Sequence, residues 1–307
     1  MGERDVTARG GFTVGAAGAD VSMRGRVCLV TGATRGIGKA TALGLARLGA
    51  SVVLLARNAE RGTRACDDVR RASGNANVSL VVADLASFAS IRAAAANIAE
   101  RYPAVHVLVN NAGVNLARRT VSADGFEMTF AINHLAPFLL TNLLLPVLRA
   151  GVPSRIVNVT SKFERFGRIR FNDLQATRRY GAFRAYTQSK LANVLFTYEL
   201  AKRLEGTGIT ANCLHPGLVA TDLMRDYPAW MRSLWERFLL TPEQGARTAV
   251  YLASAPAVSG VTGRYFEREG REARTSRRSY DVATRERLWC VSAALTGMSD
   301  DVGRIAG

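Results

Sequence analysis

The 307-residue sequence predicts an α/β protein built on one doubly wound parallel sheet with helices on both faces. Three observations carry that prediction. Short apolar runs rich in β-branched residues alternate with longer stretches at helical spacing from Arg26 to Leu214, as right-handed βαβ crossovers require. The first run ends in a glycine-rich turn that opens a helix, Thr31-Gly32-Ala33-Thr34-Arg35-Gly36-Ile37-Gly38. No internal repeat and no Pro/Ser-rich linker interrupts the alternation.

Taken in order, Val27–Val30 is a continuous apolar run, the signature of a strand buried on both faces. Ile37 to Leu48 carries apolar residues at helical spacing and stops at Gly49, and Ser51–Leu55 is the second strand. A polar helix over Ala59–Ser73 precedes a strand at Val78–Val82, and a helix over Ser87–Arg101 precedes one at Val105–Val109. A long apolar helix around Gly125–Leu148, bent at Pro137, leads to Arg155–Val159. The helix Tyr186–Leu204 leads to Thr210–Leu214. Residues 1–22, rich in Gly, Ala and Thr, read as a mobile extension, and 23–266 as the main domain. In 267–307 a solvated loop dense in both charge signs precedes a last helix over Arg287–Leu295.

Composition narrows the class. With 48% hydrophobic and 21% charged residues the chain is neither collagen-like nor largely disordered. Cys28, Cys66, Cys213 and Cys290 are scattered and the chain holds only 3 His, so neither a disulfide framework nor a metal site is expected. No stretch of ~18 consecutive apolar residues marks a membrane span, and early acids with no apolar core argue against a secretory leader. A cytoplasmic protein is therefore expected. The net charge of +16 is nearly all arginine, spread along the chain. It favours anionic ligands, and without a recognition motif it predicts no specific nucleic-acid partner.

Gly32, Gly36 and Gly38 sit at a strand-to-helix turn. Glycine there permits positive φ and close backbone approach, and the following helix offers its N-terminal partial charge to a phosphate. A glycine cluster by itself also suits an ordinary tight turn; the flanking strand and helix favour a dinucleotide. The second strand ends Leu55-Ala56-Arg57, with no acid to accept a ribose 2′-hydroxyl. Arg57, helped by Arg35, suits a 2′-phosphate instead, which predicts NADP(H). The bland alternative is a pair of solvated arginines.

Tyr186 and Lys190 stand at i and i+4, one turn apart on one helix face. A phenol, with a pKa of about 10, becomes a usable base or acid when a cation favours its phenolate. Ser161 follows the strand ending at Val159, where a hydroxyl can bond a substrate oxygen or simply cap a turn.

With these items the sequence resembles the short-chain dehydrogenase/reductase family, in its retinol-dehydrogenase-like branch, from about Arg24 to Met298. The resemblance implies a Rossmann fold and a nicotinamide cofactor. The turn, with Gly32, Thr34, Arg35, Gly36, Ile37 and Gly38, matches the family's cofactor loop. Asp84-Leu85 matches the adenine-holding pair, and Asn110-Asn111-Ala112-Gly113 the segment beneath the cofactor. Asn133, Ser161, Tyr186 and Lys190 match the catalytic tetrad. The resemblance makes Tyr186 the general acid/base and has Lys190 tune it and bind the nicotinamide ribose. Ser161 orients the reacting oxygen, and Asn133 supports a relay. Pro216, Gly217, Val219 and Thr221 match the loop at the nicotinamide amide.

The chain departs from the branch at Ala136-Pro137, which bears on helix packing and subunit contact, and at Lys162-Phe163-Glu164-Arg165 beside the serine. It also begins without the apolar anchor of membrane-bound members.

Between Asp226 and Leu240, Trp230/Met231, Leu234/Trp235 and Phe238/Leu239 recur every four residues. That apolar stripe fits a cover for a large apolar alcohol, aldehyde or ketone, a helix packed on the core, or an interfacial helix touching a membrane. The expected protein is an NADP(H)-dependent oxidoreductase, a homo-oligomer by family resemblance. The alternative is an NADP(H)-binding redox-sensing regulator.

Overall fold

The computed structural model describes residues 21–217 and 240–300. The expected terminal extension and the apolar stripe fall almost wholly outside the described residues, as do Val219 and Thr221. Among the described residues the strands are β1 (Val27–Thr31), β2 (Ser51–Ala56), β3 (Val78–Val82), β4 (Val107–Asn110), β5 (Ser154–Val159), β6 (Ile209–Leu214), β7 (Tyr265–Phe266) and β8 (Glu272–Ala273). They form one sheet in the order β3-β2-β1-β4-β5-β6-β7-β8. Every pairing is parallel except the last. The doubly wound sheet predicted from the sequence is the observed one. Leu29 sits in register between Val53 and Leu108, each fully or nearly fully buried. Chain order reverses at β1/β4, the switch point where such sheets open a crevice at their carboxyl ends.

The helices are α1 (Gly36–Arg47), α2 (Ala59–Ser73), α3 (Phe88–Arg101), α4 (Met128–Ala150), α5 (Ala182–Arg203), α6 (Pro242–Ser254) and α7 (Val282–Thr296). Local chemistry sets their ends. Asn58 Oδ1 accepts the Arg61 amide at the start of α2, and Gly74 closes that helix in the left-handed region at φ 68°. Thr241 and Gln244 cap α6 reciprocally, with Pro242 in its first turn. One face of the sheet carries α1, α2 and α6 over an aliphatic layer that includes Val30, Leu45, Leu54 and Leu252. The other carries α3, α4, α5 and α7 over Leu108, Phe138, Phe196 and Trp289.

Three sequence expectations change. The bend expected at Pro137 is a widened turn: Ala131–Leu135 wind as π-helix, and α4 then continues through Pro137. Proline has no N–H to offer the preceding turn, so an extra residue is accommodated there without breaking the helix. The run from Glu267, expected as a solvated loop, is exposed over much of its length but fastened at points. Glu267 is 7% exposed, β8 pairs with β7, and Ser276 bonds the buried Glu164. The last helix begins at Val282, five residues before Arg287. Helix α4 is long and apolar enough to cross a membrane, but 83% of its apolar window is buried in the protein interior; it is a core helix.

Candidate active site

The glycine turn is assembled by close backbone contact. Gly32 and Gly36 take φ of 64° and 55°, the left-handed region. A Cβ on Gly38 would lie 2.4 Å from both the Gly32 carbonyl oxygen and Asn111 Nδ2, so only glycine lets α1 start this close to β1. Asn111 Nδ2 donates to the Thr31 carbonyl at 2.8 Å. Thr31 Oγ1 accepts the Asn111 and Ala112 amides at 2.9 and 3.0 Å. Thr31, which opens the glycine motif without being assigned a role by sequence, thus ties β1 to β4 at the switch point. Arg35 precedes α1 without capping it by its side chain, and the first turn holds no acid. That end keeps its partial positive charge for an anion. Thr34 and Ile37 are half-buried in the same turn, and Arg35 and Arg57 are exposed. Asp84 Oδ1 accepts the Ala86 amide at 2.9 Å, and Leu85 packs on the core.

Across β4 lies the second group. Asn133, 0% exposed, sits within the widened turn of α4. Its Nδ2 donates to the Val114 carbonyl and to Ser189 Oγ, both at 2.9 Å, and its Oδ1 accepts the Val114 amide at 2.8 Å. The side-chain amide is therefore fully engaged. Lys190 Nζ, in a side chain 4% exposed, donates to the Val159 carbonyl at 3.2 Å. Burial pushes its pKa down to about 8. Thr160 Oγ1 holds the Lys190 carbonyl at 2.8 Å, fixing α5 to the end of β5. A Cβ on Gly113 would stand 3.4 Å from both Lys190 Nζ and Asn133 Oδ1, so the segment after β4 passes directly between them.

Lys190 Nζ stands 5.5 Å from the centre of the Tyr186 ring, as expected for neighbours one helical turn apart. Ser161 Oγ accepts the Phe163 amide at 3.3 Å, so the capping role open to it is present at the β5 edge. Phe163 meets the Tyr186 ring edge-on, with centroids 6.4 Å apart. Pro216 and Gly217 follow β6, Gly217 at φ 90°. His215 is buried, its pKa pushed down to about 4 by desolvation with Lys162 adding to the shift.

Two features escape sequence reasoning. Glu164, 1% exposed, accepts the Ser276 amide at 2.8 Å and the Ser276 hydroxyl at 2.7 Å. The unusual segment after Ser161 is thereby clamped to a strip 112 residues away. Nearby, Lys162 pairs with Glu267 at 2.9 Å. His134 bonds Ser292 Oγ at 2.8 Å through Nε2, linking α4 to α7, and burial pushes its pKa down to about 3.

The chain is similar to known proteins in sequence and fold. A family model described as short chain dehydrogenase matches residues 26–232. The chain is 42% identical over 295 residues to human retinol dehydrogenase 14, covering 90% of this chain and 88% of that one. It is 43% identical over 285 residues to mouse retinol dehydrogenase 11, covering 92% and 90%. Among solved structures, an uncharacterized protein from Mycobacterium paratuberculosis aligns with a TM-score of 0.75 and 33% identity, covering 91% of this chain and 96% of that one. Pseudomonas aeruginosa RhlG, in an active-site complex with NADP, aligns with a TM-score of 0.66 and 30% identity over 80% and 95%. With its sheet, glycine turn and relatives in agreement, the chain belongs to the short-chain dehydrogenase/reductase family of oxidoreductases, in its retinol-dehydrogenase-like branch.

Proposed function

We propose that this protein is an NADP(H)-dependent oxidoreductase that moves a hydride between nicotinamide and the carbonyl or alcohol carbon of an apolar substrate, with Tyr186 as general acid/base. The observation that carries the reading is the buried Lys190 ammonium one turn from Tyr186, held by the Val159 carbonyl at the carboxyl edge of the sheet.

The residues at the switch point fit the cofactor: left-handed glycines, an uncapped and acid-free start to α1, and an arginine where an NAD site carries an acid. Gly32, Thr34, Arg35, Gly36, Ile37 and Gly38 would cradle the pyrophosphate. Arg57 with Arg35 would take the 2′-phosphate, and Asp84 and Leu85 the adenine. Asn111, Ala112 and Gly113 would underlie the nicotinamide half, while Lys190, Tyr186, Pro216, Gly217, Val219 and Thr221 would flank it. When bound, the nicotinamide donates or accepts the hydride.

The chain moves the proton. In reduction Tyr186 Oη gives its proton to the carbonyl oxygen, and in oxidation its phenolate takes one from the hydroxyl. At pH values below about 8 Lys190 keeps its charge and favours the phenolate. Ser161 Oγ bonds the reacting oxygen as charge builds on it. Asn133, its amide already engaged, acts by fixing the position of the widened turn. The retinol dehydrogenases among the relatives, and the Phe163 ring beside Tyr186, support an apolar alcohol or aldehyde as substrate.

The test follows nicotinamide absorbance with NADPH and NADH in parallel against apolar aldehydes and ketones, for wild type and Tyr186→Phe. NADPH-driven turnover that falls about 10²–10⁴-fold in the variant, with NADPH binding retained, is the expected result. Near-normal turnover in the variant removes the assigned mechanism. Tight NADPH binding without turnover on any substrate favours the redox-sensing regulator.

A further inference from the structure

Ser161 and Tyr186 come to the site from different elements, the end of β5 and the first turns of α5. Whatever fixes one against the other sets the geometry in which both can serve one oxygen. Ser161 leads into the short turn Lys162–Phe166 and makes its first bonds. Its carbonyl accepts the Glu164 amide at 3.0 Å, and its Oγ accepts the Phe163 amide at 3.3 Å. A tilt of that turn therefore moves the Ser161 hydroxyl.

The turn is held from outside by the C-terminal strip. Glu164 is 1% exposed, and one residue engages both of its carboxylate oxygens. Oε1 accepts the Ser276 amide at 2.8 Å and Oε2 the Ser276 hydroxyl at 2.7 Å. Burial pushes the Glu164 pKa up, and the two bonds from Ser276 oppose that rise. A carboxylate in such a place is tolerated only while its donors are present. Further bonds run in both directions. Arg165 donates to the Arg274 carbonyl at 3.1 Å, and Arg278 donates to the Arg165 and Gly167 carbonyls, each at 3.4 Å. The strip is in turn fastened to α5, the helix of Tyr186. Tyr198 Oη shares a hydrogen bond with Thr275 Oγ1 at 2.9 Å, and its ring stacks on Tyr280 with centroids 5.6 Å apart.

We propose that Glu164 and Ser276 are positioning residues, through which the C-terminal strip holds Ser161 Oγ at a fixed place relative to Tyr186. The inference rests on the function proposed above, in which both hydroxyls serve one oxygen. Neither residue handles the proton. The line of support runs from Tyr186 along α5 to Tyr198, across Thr275 and Ser276 to Glu164, and back to Ser161. The far end of the turn already rests on α5, where a Cβ on Gly167 would lie 2.7 Å from Leu191 Cβ. One point of support leaves a hinge, and the Glu164 clamp supplies the second. The segment that departs from the branch beside the serine thus has its counterpart in a strip more than a hundred residues away.

The experiment compares Ser276→Ala, Ser276→Thr and Glu164→Gln with wild type in the full chain. Hydrogen exchange read by mass spectrometry needs neither cofactor nor substrate. The Phe163 and Glu164 amides should exchange about tenfold faster in Ser276→Ala, which loses one bond to a charged group. Ser276→Thr keeps the hydroxyl and should return them to the wild-type rate. In turnover, Ser276→Ala should lower kcat about tenfold and leave KM and NADPH affinity within about twofold, because a misplaced hydroxyl weakens the transition state alone. Threonine should restore kcat, and NADPH deuterated at the transferred position should show a larger isotope effect in the alanine variant. Adding Glu164→Gln to Ser276→Ala should cost little beyond either change alone. Unchanged exchange overturns the clamp. Faster exchange with unchanged kcat, or an equal loss in the threonine variant, overturns its positioning role. Failure of the underlying function looks different: Tyr186→Phe then turns over like wild type, or wild type turns over no substrate, while the exchange difference persists. The clamp stands in that case and its part in the reaction falls.

Discussion

The two faces of the sheet are packed by different means. Under α1, α2 and α6 the contacts are aliphatic, and helices approach through glycine. A Cβ on Gly44 would lie 2.6 Å from Val250, and one on Gly62 2.5 Å from Leu80. Under α4, α5 and α7 the layer is aromatic and threaded with buried polar groups. Trp289 packs on Phe138 and Phe196, with centroids at 4.9 and 5.9 Å, and Arg203 covers its ring at 4.2 Å. Glu199 pairs with both Arg203 and Arg285. A ladder runs from Thr141 through Asn110 and Asn158 to Thr197 in bonds of 3.0, 2.8 and 2.9 Å. The glycine turn grows from the first face and Asn133, Tyr186 and Lys190 from the second. Binding a phosphate needs backbone in the right place, whereas supporting a charged lysine in the interior needs side chains already satisfied.

The sharpest way to break this contrast is Trp289→Ala. It should cost about 3–5 kcal/mol in urea unfolding, because a large ring lost from a rigid aromatic layer leaves a cavity and uncovers Arg203. A loss below ~1 kcal/mol would mean that this layer collapses as freely as an aliphatic one. On the other face, Gly38→Ala should cost about 1–3 kcal/mol, since the added methyl meets backbone rather than a flexible side chain. It should also weaken NADPH binding measured by fluorescence titration, and unchanged binding would dissociate the turn from the cofactor.

Arg57→Ala sharpens the assignment of the first face. NADPH should bind about tenfold more weakly, ~1.4 kcal/mol, while NADH is little changed; equal losses for both would refute the 2′-phosphate role. The smallest effect belongs to the second face. His134 holds a pKa of about 3 in the fold against an ordinary 6.5, so the unfolded chain binds the extra proton first. Its contribution to stability is complete above pH 6.5 and falls as pH drops toward about 3. Over the first pH unit below 6.5 the loss should be about 1 kcal/mol. His106 and His215 carry the same sign, so the measurement is the difference in acid slope between wild type and His134→Gln.

The contrast also explains what is legible in the sequence. Helix α2 is readable to the residue because its cap and its left-handed glycine are local signals. The glycine turn and the Tyr186/Lys190 pair are short-range patterns for the same reason. Helix α6 carries a readable signal, the Thr241-Pro242-Glu243-Gln244 capping box, that apolar periodicity alone passes over. Strands β7 and β8, two residues each, have no periodicity to show and exist through their neighbours. Glu164–Ser276 and His134–Ser292 join residues 112 and 158 positions apart, and no spacing rule reaches that far. The charged strip after Glu267 therefore reads as solvent-facing, although part of it is fastened beside the site.

The widened turn at Ala131–Leu135 has a consequence for how α4 tolerates change in length. Each residue of a regular helix advances the azimuth by about 100° and the axis by about 1.5 Å. One surplus residue is therefore an angular offset between the two halves of α4. Removing one residue from 131–135 would restore regular winding and swing whatever precedes the cut by more than a quarter of a revolution. The Val114 contacts of Asn133 tie one side of that offset, and the Phe138–Trp289 packing ties the other. The two halves of α4 are thus held at a fixed phase, and a single-codon deletion there would act as a rotation of the site against the core.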